Sequence, residues 1–197
     1  KFSDHATFNS VTFNSNAWFV DAKFSTFLFF SDACFVKDSS FSVTNVNDDE
    51  MDLQIAIFKN VKFKNLSSFL NRRFRNTSDF SECEFSQAPK FHGCTLHQDT
   101  TFPSVEYFKD TESVGAASAY RTLKLAIENA RSRQEEAMFY ALEQKSLRNR
   151  DATPKLVRLT SYLYETFSDY GQSFGLPLYW LLLVSFLFSQ FYGGLVG

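Results

Sequence analysis

The residues that usually carry chemistry are scarce in this chain. Its 197 positions hold three histidines, three cysteines, two methionines and seven glycines. Neither the number nor the spacing of the cysteines describes a disulfide framework. No ligand spacing matches a zinc motif. There is no glycine-rich loop to cradle a phosphate and no serine nucleophile elbow. An excess of one charge is missing too: 20 basic residues face 22 acidic ones for a net charge of −2, so bulk electrostatics call for no polyanionic partner. Within the last 28 residues, Tyr170 to Gly197, charge is absent altogether. These absences predict a protein that is not an enzyme, with no catalytic residue, no metal site and no cofactor.

What the chain has in abundance is phenylalanine, 25 in all. It recurs at Phe2, Phe8, Phe13, Phe19, Phe24, Phe30, Phe35 and Phe41, resumes at Phe58, Phe63, Phe69, Phe74, Phe80, Phe85 and Phe91, and continues through Leu96 to Phe102. Steps of five and six alternate, so the repeat unit is eleven residues. An eleven-residue repeat can be a right-handed helical supercoil. At about 100° per residue, however, alternate phenylalanines would fall on different faces. The intervening Ser, Thr, Asn and Asp are also poor helix-interior residues. A wound stack of short strands fits instead, with each Phe turned inward. Strand side chains alternate, so the residue two before each Phe also points inward and must leave room for the ring. Ala6, Ala17, Ala22, Ala33, Ala56, Ser67, Ser78, Cys83 and Cys94 obey this rule, while Leu28, Arg72 and Pro89 are exceptions. Cys83 and Cys94 then read as small core residues on opposite sides of the stack, in a reducing compartment.

Ala6-Thr7-Phe8-Asn9-Ser10, Ala22-Lys23-Phe24-Ser25-Thr26 and Ser78-Asp79-Phe80-Ser81-Glu82 resemble units of the pentapeptide-repeat family. The resemblance implies a mainly β fold, a right-handed quadrilateral β-helix with one unit per side. Two fives and two sixes make one coil, so residues 2–108 would form about five coils, a rod roughly 24 Å long at the ~4.8 Å strand spacing. Phe58, Phe63, Phe69, Phe74, Phe80, Phe85 and Phe91 are its expected structural core. The beat lapses between Phe41 and Phe58, where Asn45-Val46-Asn47-Asp48-Asp49-Glu50 reads as a loop ejected at one corner. Lys59, Lys62, Lys64, Arg72, Arg73 and Arg75 lie in an acid-free stretch of seventeen residues, a possible surface contact patch for anionic lipid or nucleic acid, or simply a solvated basic face. Some family members mimic DNA with an acidic rod; this basic belt argues against that, and no nucleic-acid partner is expected. His92 and His97 follow inward positions and face outward on adjacent sides, so they diverge from the inward Cys94.

After Phe108 the pattern changes. From Ala116 to Arg150 helix formers dominate, without glycine or proline. Tyr120, Leu123, Ile127 and Ala130 form one apolar stripe. Ser132-Arg133-Gln134-Glu135 reads as a capping box opening a second helix, whose stripe would include Ala137, Tyr140, Ala141 and Gln144. Two antiparallel helices here would cover the open strand edges at the end of the solenoid. Thr153-Pro154 predicts the start of a third helix, with Leu156, Leu159, Leu163 and Phe167 along one side. It suits a membrane surface or a packed bundle. The charge-free Leu176–Tyr192 is long and apolar enough to cross a bilayer, with Tyr170, Pro177, Tyr179 and Trp180 as expected membrane-interface residues. Lys145, Arg148, Arg150, Lys155 and Arg158 upstream favour a cytoplasmic location for the preceding part. The expected domains are a β-helix at 1–109, a helical cap or collar at 110–169 and a transmembrane segment at 170–197.

Tyr120-Arg121-Thr122-Leu123-Lys124, Ala137-Met138-Phe139-Tyr140-Ala141-Leu142-Glu143 and Tyr170-Gly171-Gln172-Ser173 resemble bacterial pentapeptide-repeat membrane proteins, in which a cytoplasmic β-helix precedes helices and a small transmembrane bundle. Where those carry a charged residue before the proline, this chain has Leu176, and those continue into further membrane segments. The missing initiator Met and a first repeat begun mid-unit suggest a fragment or processed product. The resemblance implies a non-enzymatic docking or sensing scaffold at the bacterial inner membrane, its β-helix facing the cytoplasm. The lipid bilayer and a protein partner are implied, and a homo-oligomer is allowed. Two alternatives stand beside it: an ion-channel-like or pore-forming protein gated by the β-helix, and a soluble module that mimics or binds nucleic acid.

Overall fold

The computed structural model describes residues 5–24, 26–46, 52–130 and 133–196. Side chains at 130 and 193–196 are outside this description. Parallel strands stack in three sheets, and four helices follow. The first sheet holds β1 (His5–Asn9), β4 (Phe27–Ser31), β7 (Ile55–Lys59) and β10 (Ser78–Asp79). The second holds β2 (Thr12–Phe13), β5 (Cys34–Phe35), β8 (Lys62–Phe63) and β11 (Glu84–Phe85). The third holds β3 (Ala17–Trp18), β6 (Ser39–Ser40) and β9 (Ser67–Ser68). The chain therefore visits each sheet once per circuit, in the manner of a solenoid.

Register explains the aromatic beat. Phe8 lies over Phe30 and Phe30 over Phe58 in the first sheet, while Phe13, Phe35 and Phe63 align in the second. Their rings form ladders with centroids 4.7 to 5.4 Å apart and planes within 12° of parallel. A third ladder runs Phe19, Phe41, Phe69, Phe91. Neighbouring ladders mostly meet edge to face, for example Phe58 on Phe69 at 5.7 Å, so the ring quadrupoles are satisfied both along and across the stack. All seven core phenylalanines named from the sequence are buried.

Corners need backbone that most L-residues avoid. Ser10, Asp32 and Asn60 each follow a long strand of the first sheet with φ of 51 to 53°. Asp and Asn tolerate that region better than most residues, and across circuits the Asn60 amide donates to Asp32 at 2.7 Å. At the next such corner Asn71 is followed, a circuit later, by Gly93 at φ 72°. A Cβ on Gly93 would lie 2.2 Å from the Asn71 side-chain oxygen, so any larger residue would have to displace that side chain as well as accept the positive φ.

The lapse after Phe41 is visible in the register. Leu28 pairs with Ala56, 28 residues on, whereas Ala6–Leu28 and Ala56–Ser78 are 22 apart. Residues 47–50 of the expected loop lie outside the described residues. Both of its flanks are tied down. Asp21 accepts hydrogen bonds from the Thr44 amide (2.7 Å) and hydroxyl (2.6 Å). On the return, Leu53 bridges Phe74 and takes a ring's place in the core, and buried Asp52 accepts from both Arg73 and Arg75.

Arg72 corrects the basic belt read from the sequence. It is wholly buried, at the inward small-residue position occupied by Ala22 and Cys94 in other circuits. The peptide N–H of each of these three donates to a core Phe carbonyl (Phe19, Phe69 and Phe91) at 3.1 to 3.2 Å. The Arg72 carbonyl in turn receives the Thr95 N–H. Its guanidinium reaches the neighbouring circuits: Nε donates to the Phe41 carbonyl at 2.7 Å and Nη1 to the Ala22 carbonyl at 3.2 Å. Burial lowers its pKa to about 10, the Asp21 charge opposing that shift, so it remains cationic at neutral pH.

α1 (Ala116–Ala130) and α2 (Arg133–Arg148) extend the same core. Tyr120, Leu123 and Ile127 from α1 and Phe139 and Leu142 from α2 join the cluster that contains the ladders. The Phe139 ring meets Phe102 and Phe108 edge on, at 5.2 and 5.4 Å. The buried side of α2 is thus centred on Met138, Phe139, Ala141 and Leu142, not on the expected Tyr140 and Gln144. Tyr140 sits under the Lys124 ammonium, 5.5 Å from its centroid. Ser132 lies outside the described residues. Glu135 accepts the Phe102 N–H at 3.0 Å, binding the helix to the sheet stack.

The chain divides into two compact units at Arg150/Asp151. The expected collar 110–169 is therefore shared: α1 and α2 belong with the sheets, and α3 (Lys155–Ser168) belongs with α4 (Gly175–Val196).

Candidate membrane-contacting surface

α3 begins at Lys155 after Pro154, whose carbonyl accepts the Arg158 N–H at 3.0 Å. Proline thus stands at the N-cap. None of the described residues of α3 is buried. Leu156, Leu159, Leu163 and Phe167, spaced three and four residues apart, are exposed along one side, with Arg158, Ser161 and Glu165 opposite.

The helix ends in three successive left-handed residues, Asp169 (φ 47°), Tyr170 (φ 53°) and Gly171 (φ 86°). Left-handed backbone costs an ordinary residue roughly 1–2 kcal/mol, and side-chain contacts hold it here. The Ser168 hydroxyl donates to the Tyr164 carbonyl and receives the Gly171 N–H. The Tyr170 hydroxyl bonds Ser161 at 2.9 Å and its ring meets Tyr164 edge on. Tyr170 is consequently only 4% exposed. Named from the sequence as a membrane-interface residue, Tyr170 is an internal prop of the turn.

α4 starts with the Ser173 hydroxyl accepting the Leu176 N–H at 3.2 Å. Pro177 lies in its first turn, where a missing N–H does no harm. Trp180 donates its indole N–H to the Thr166 carbonyl at 3.0 Å and lays its ring 5.0 Å from Phe167. Tyr179 stands beside it, exposed. Beyond this point α4 carries no charge, and its few polar residues, Ser185, Ser189, Gln190 and Tyr192, are interspersed with apolar ones. Leu181, Leu182, Val184, Phe186, Leu187, Phe188 and Phe191 cover its circumference and all are exposed. Ser185 returns its hydroxyl proton to the Leu181 carbonyl, as a hydroxyl in an apolar medium must. At 22 residues the helix is about 33 Å long, and by length and composition it can cross a membrane.

The other sequence-derived sites do not converge. Lys59, Lys62 and Lys64 are exposed, and Lys62 stands in register with Glu84. Arg73 and Arg75 share Asp52, and Arg72 is in the core. The six cations are not one patch. The sequence signal for this was the grid itself, which put Arg72 inward; Asp52 was hidden because it precedes the acid-free stretch and is returned to it by the insertion. Cys83 and Cys94 face the core, donating to the Phe58 and Phe69 carbonyls. Burial pushes the Cys94 thiol up to about 12 and Cys83 well above its ordinary value, so neither is a nucleophile near neutrality. His92 lies 3.3 Å from the Ser118 hydroxyl, and His97 accepts the Asp99 N–H. Among the described residues no group of three His, Cys, Asp or Glu could hold a metal ion. Compared with known proteins, the chain matches no family model, no curated protein and no solved structure.

Proposed function

We propose that this protein is a membrane-anchored, non-enzymatic scaffold of the pentapeptide-repeat kind. Its strands wind as a right-handed, four-sided β-helix of about five coils, capped by α1 and α2, and α4 spans the bilayer. The β-helix faces the cytoplasm of a bacterial cell and serves as a docking or sensing surface for a protein partner. One observation carries the reading: an uncharged helix of 22 residues with apolar side chains exposed on every side. In water such a surface invites association; in lipid it is the ordinary exterior of a spanning helix. Lys145, Arg148, Arg150, Lys155 and Arg158 before the span support the cytoplasmic side. The fourth side of the β-helix is supported by the isolated bridges Leu53–Phe74 and Arg73–Thr95. A nucleic-acid role loses support because Arg72 is buried and Arg73 and Arg75 are paired with Asp52.

Fractionation of cells expressing the full chain tests the proposal. It is expected in the membrane pellet, resistant to alkaline carbonate and released by detergent, and deletion of residues 175–196 should move it to the supernatant. A full chain recovered wholly in the soluble fraction overturns the reading.

A further inference from the structure

We infer that α3 is an in-plane membrane helix: its Leu156, Leu159, Leu163 and Phe167 side lies in the interfacial layer of the leaflet that α4 enters, and residues 169–171 form a fixed elbow between surface and span. The inference rests on α4 crossing the bilayer.

Three observations carry it. The first is sidedness. α3 keeps Arg158, Ser161 and Glu165 opposite its leucines, while α4 is apolar all round, and that contrast separates a helix lying in an interface from one passing through it. Leu156 is 71% exposed, Leu159 55% and Leu163 46%, a continuous apolar strip rather than scattered surface residues. The second is continuity. The strip ends at Phe167, whose ring touches Trp180, so the apolar side of α3 runs without a break into the first turns of α4. Trp180 and its neighbour Tyr179 are the residue types that settle at the headgroup boundary, which puts the end of α3 at that same depth. The third is the elbow. Tyr170 on Ser161 and Trp180 on Thr166 fix the two helices at both sides of the left-handed turn, so insertion of α4 determines where α3 lies. Lys155 at the outer end of α3 suits an anionic headgroup. α1 and α2 have already committed their apolar sides to the core of the other unit.

The full chain, reconstituted into vesicles of phosphatidylcholine and phosphatidylglycerol, tests this by spin labels on single introduced cysteines. Cys34→Ser/Cys94→Ser serves as background, since the remaining Cys83 is fully buried. Labels replacing Leu159 and Leu163 should be several-fold more accessible to oxygen than to a water-soluble nickel chelate, a label replacing Glu165 should show the reverse, and the apolar pair should report equal shallow depths. Labels at Leu182 and Phe186 report on the span independently. If these two are in lipid while all α3 positions are aqueous, α3 is not interfacial and the inference falls alone. Protection of Leu159 and Leu163 from both agents means that protein covers the strip, which also overturns it. Aqueous labels at Leu182 and Phe186 remove the membrane reading and the inference together.

Discussion

Phe58 and Phe186 are the same residue in opposite surroundings. Phe58 is 0% exposed, stacked between Phe30 and Phe80 at 5.4 and 4.8 Å, whereas Phe186 is 60% exposed on the circumference of α4. Spacing makes the difference. Alternating five- and six-residue steps, with a small residue two places before most rings, stack the phenylalanines of three sides over one another from circuit to circuit. In α4 the apolar residues are consecutive, so a 3.6-residue turn spreads them in all directions and no single partner surface within the chain can cover them. The first unit supplies its own apolar environment; the second requires one from outside.

Truncation at the two positions should separate the units most sharply. Phe58→Ala leaves a hole where three ladders meet and should destabilise the first unit by about 3–5 kcal/mol, read as a lowered denaturation midpoint in detergent. Phe186→Ala should leave that midpoint within about 0.5 kcal/mol. Equal effects at the two sites would undo the contrast.

A smaller loss is expected from Arg72→Met, which keeps the volume but withdraws charged hydrogen bonds to the Phe41 and Ala22 carbonyls. About 1.5–3 kcal/mol is expected, and Arg72→Lys should not restore it, because an ammonium cannot reproduce the fork that spans two circuits. A neutral Arg72→Met would mean that the neighbouring circuits are held some other way.

The smallest effect is a pH dependence belonging to the first unit alone. Burial opposes ionisation of Asp110, but hydrogen bonds from Ser113, Ala88 and Glu112 outweigh it and hold the carboxyl below its ordinary value of 3.8. A carboxyl with a depressed folded pKa stabilises the native state fully above the unfolded value, and that stabilisation is lost as pH falls through the folded one. Unfolding midpoints of the first unit should therefore decline below about pH 4, and Asp110→Asn should lower the midpoint at pH 7 by about 1 kcal/mol while flattening the acid limb. An unchanged acid limb in the variant would remove Asp110 from the account.

The aromatic ladders, the helices after them, the apolar strip of α3 and the long apolar α4 are legible because each is a pattern of spacing, and spacing translates directly into direction. Exceptions to the period were harder. Arg72 was counted with its basic neighbours although its grid position pointed inward, because charge ordinarily outweighs pattern; here the Phe41 and Ala22 carbonyls reverse that preference. The side of α2 that faces the core was misjudged by one residue, since Tyr140 and Phe139 are both aromatic and only the position of Phe102 and Phe108 distinguishes them. Tyr170 read as an interface anchor because tyrosine near a span commonly is one, yet a left-handed turn aims it back at Ser161.

Repetition needs no knowledge of the rest of the chain: a residue type at fixed intervals commits its side chains to one direction, and inward rings, capping helices and a lipid-compatible α4 follow from local order alone. Which residue links neighbouring circuits, which acid draws Arg73 and Arg75 together, and how α3 is angled to α4 were decided only in three dimensions. Those outcomes hang on groups 14 to 50 residues apart in sequence, such as Thr166 with Trp180 and Ala22 with Arg72, and contacts at such separations leave no periodic trace in the order of the amino acids.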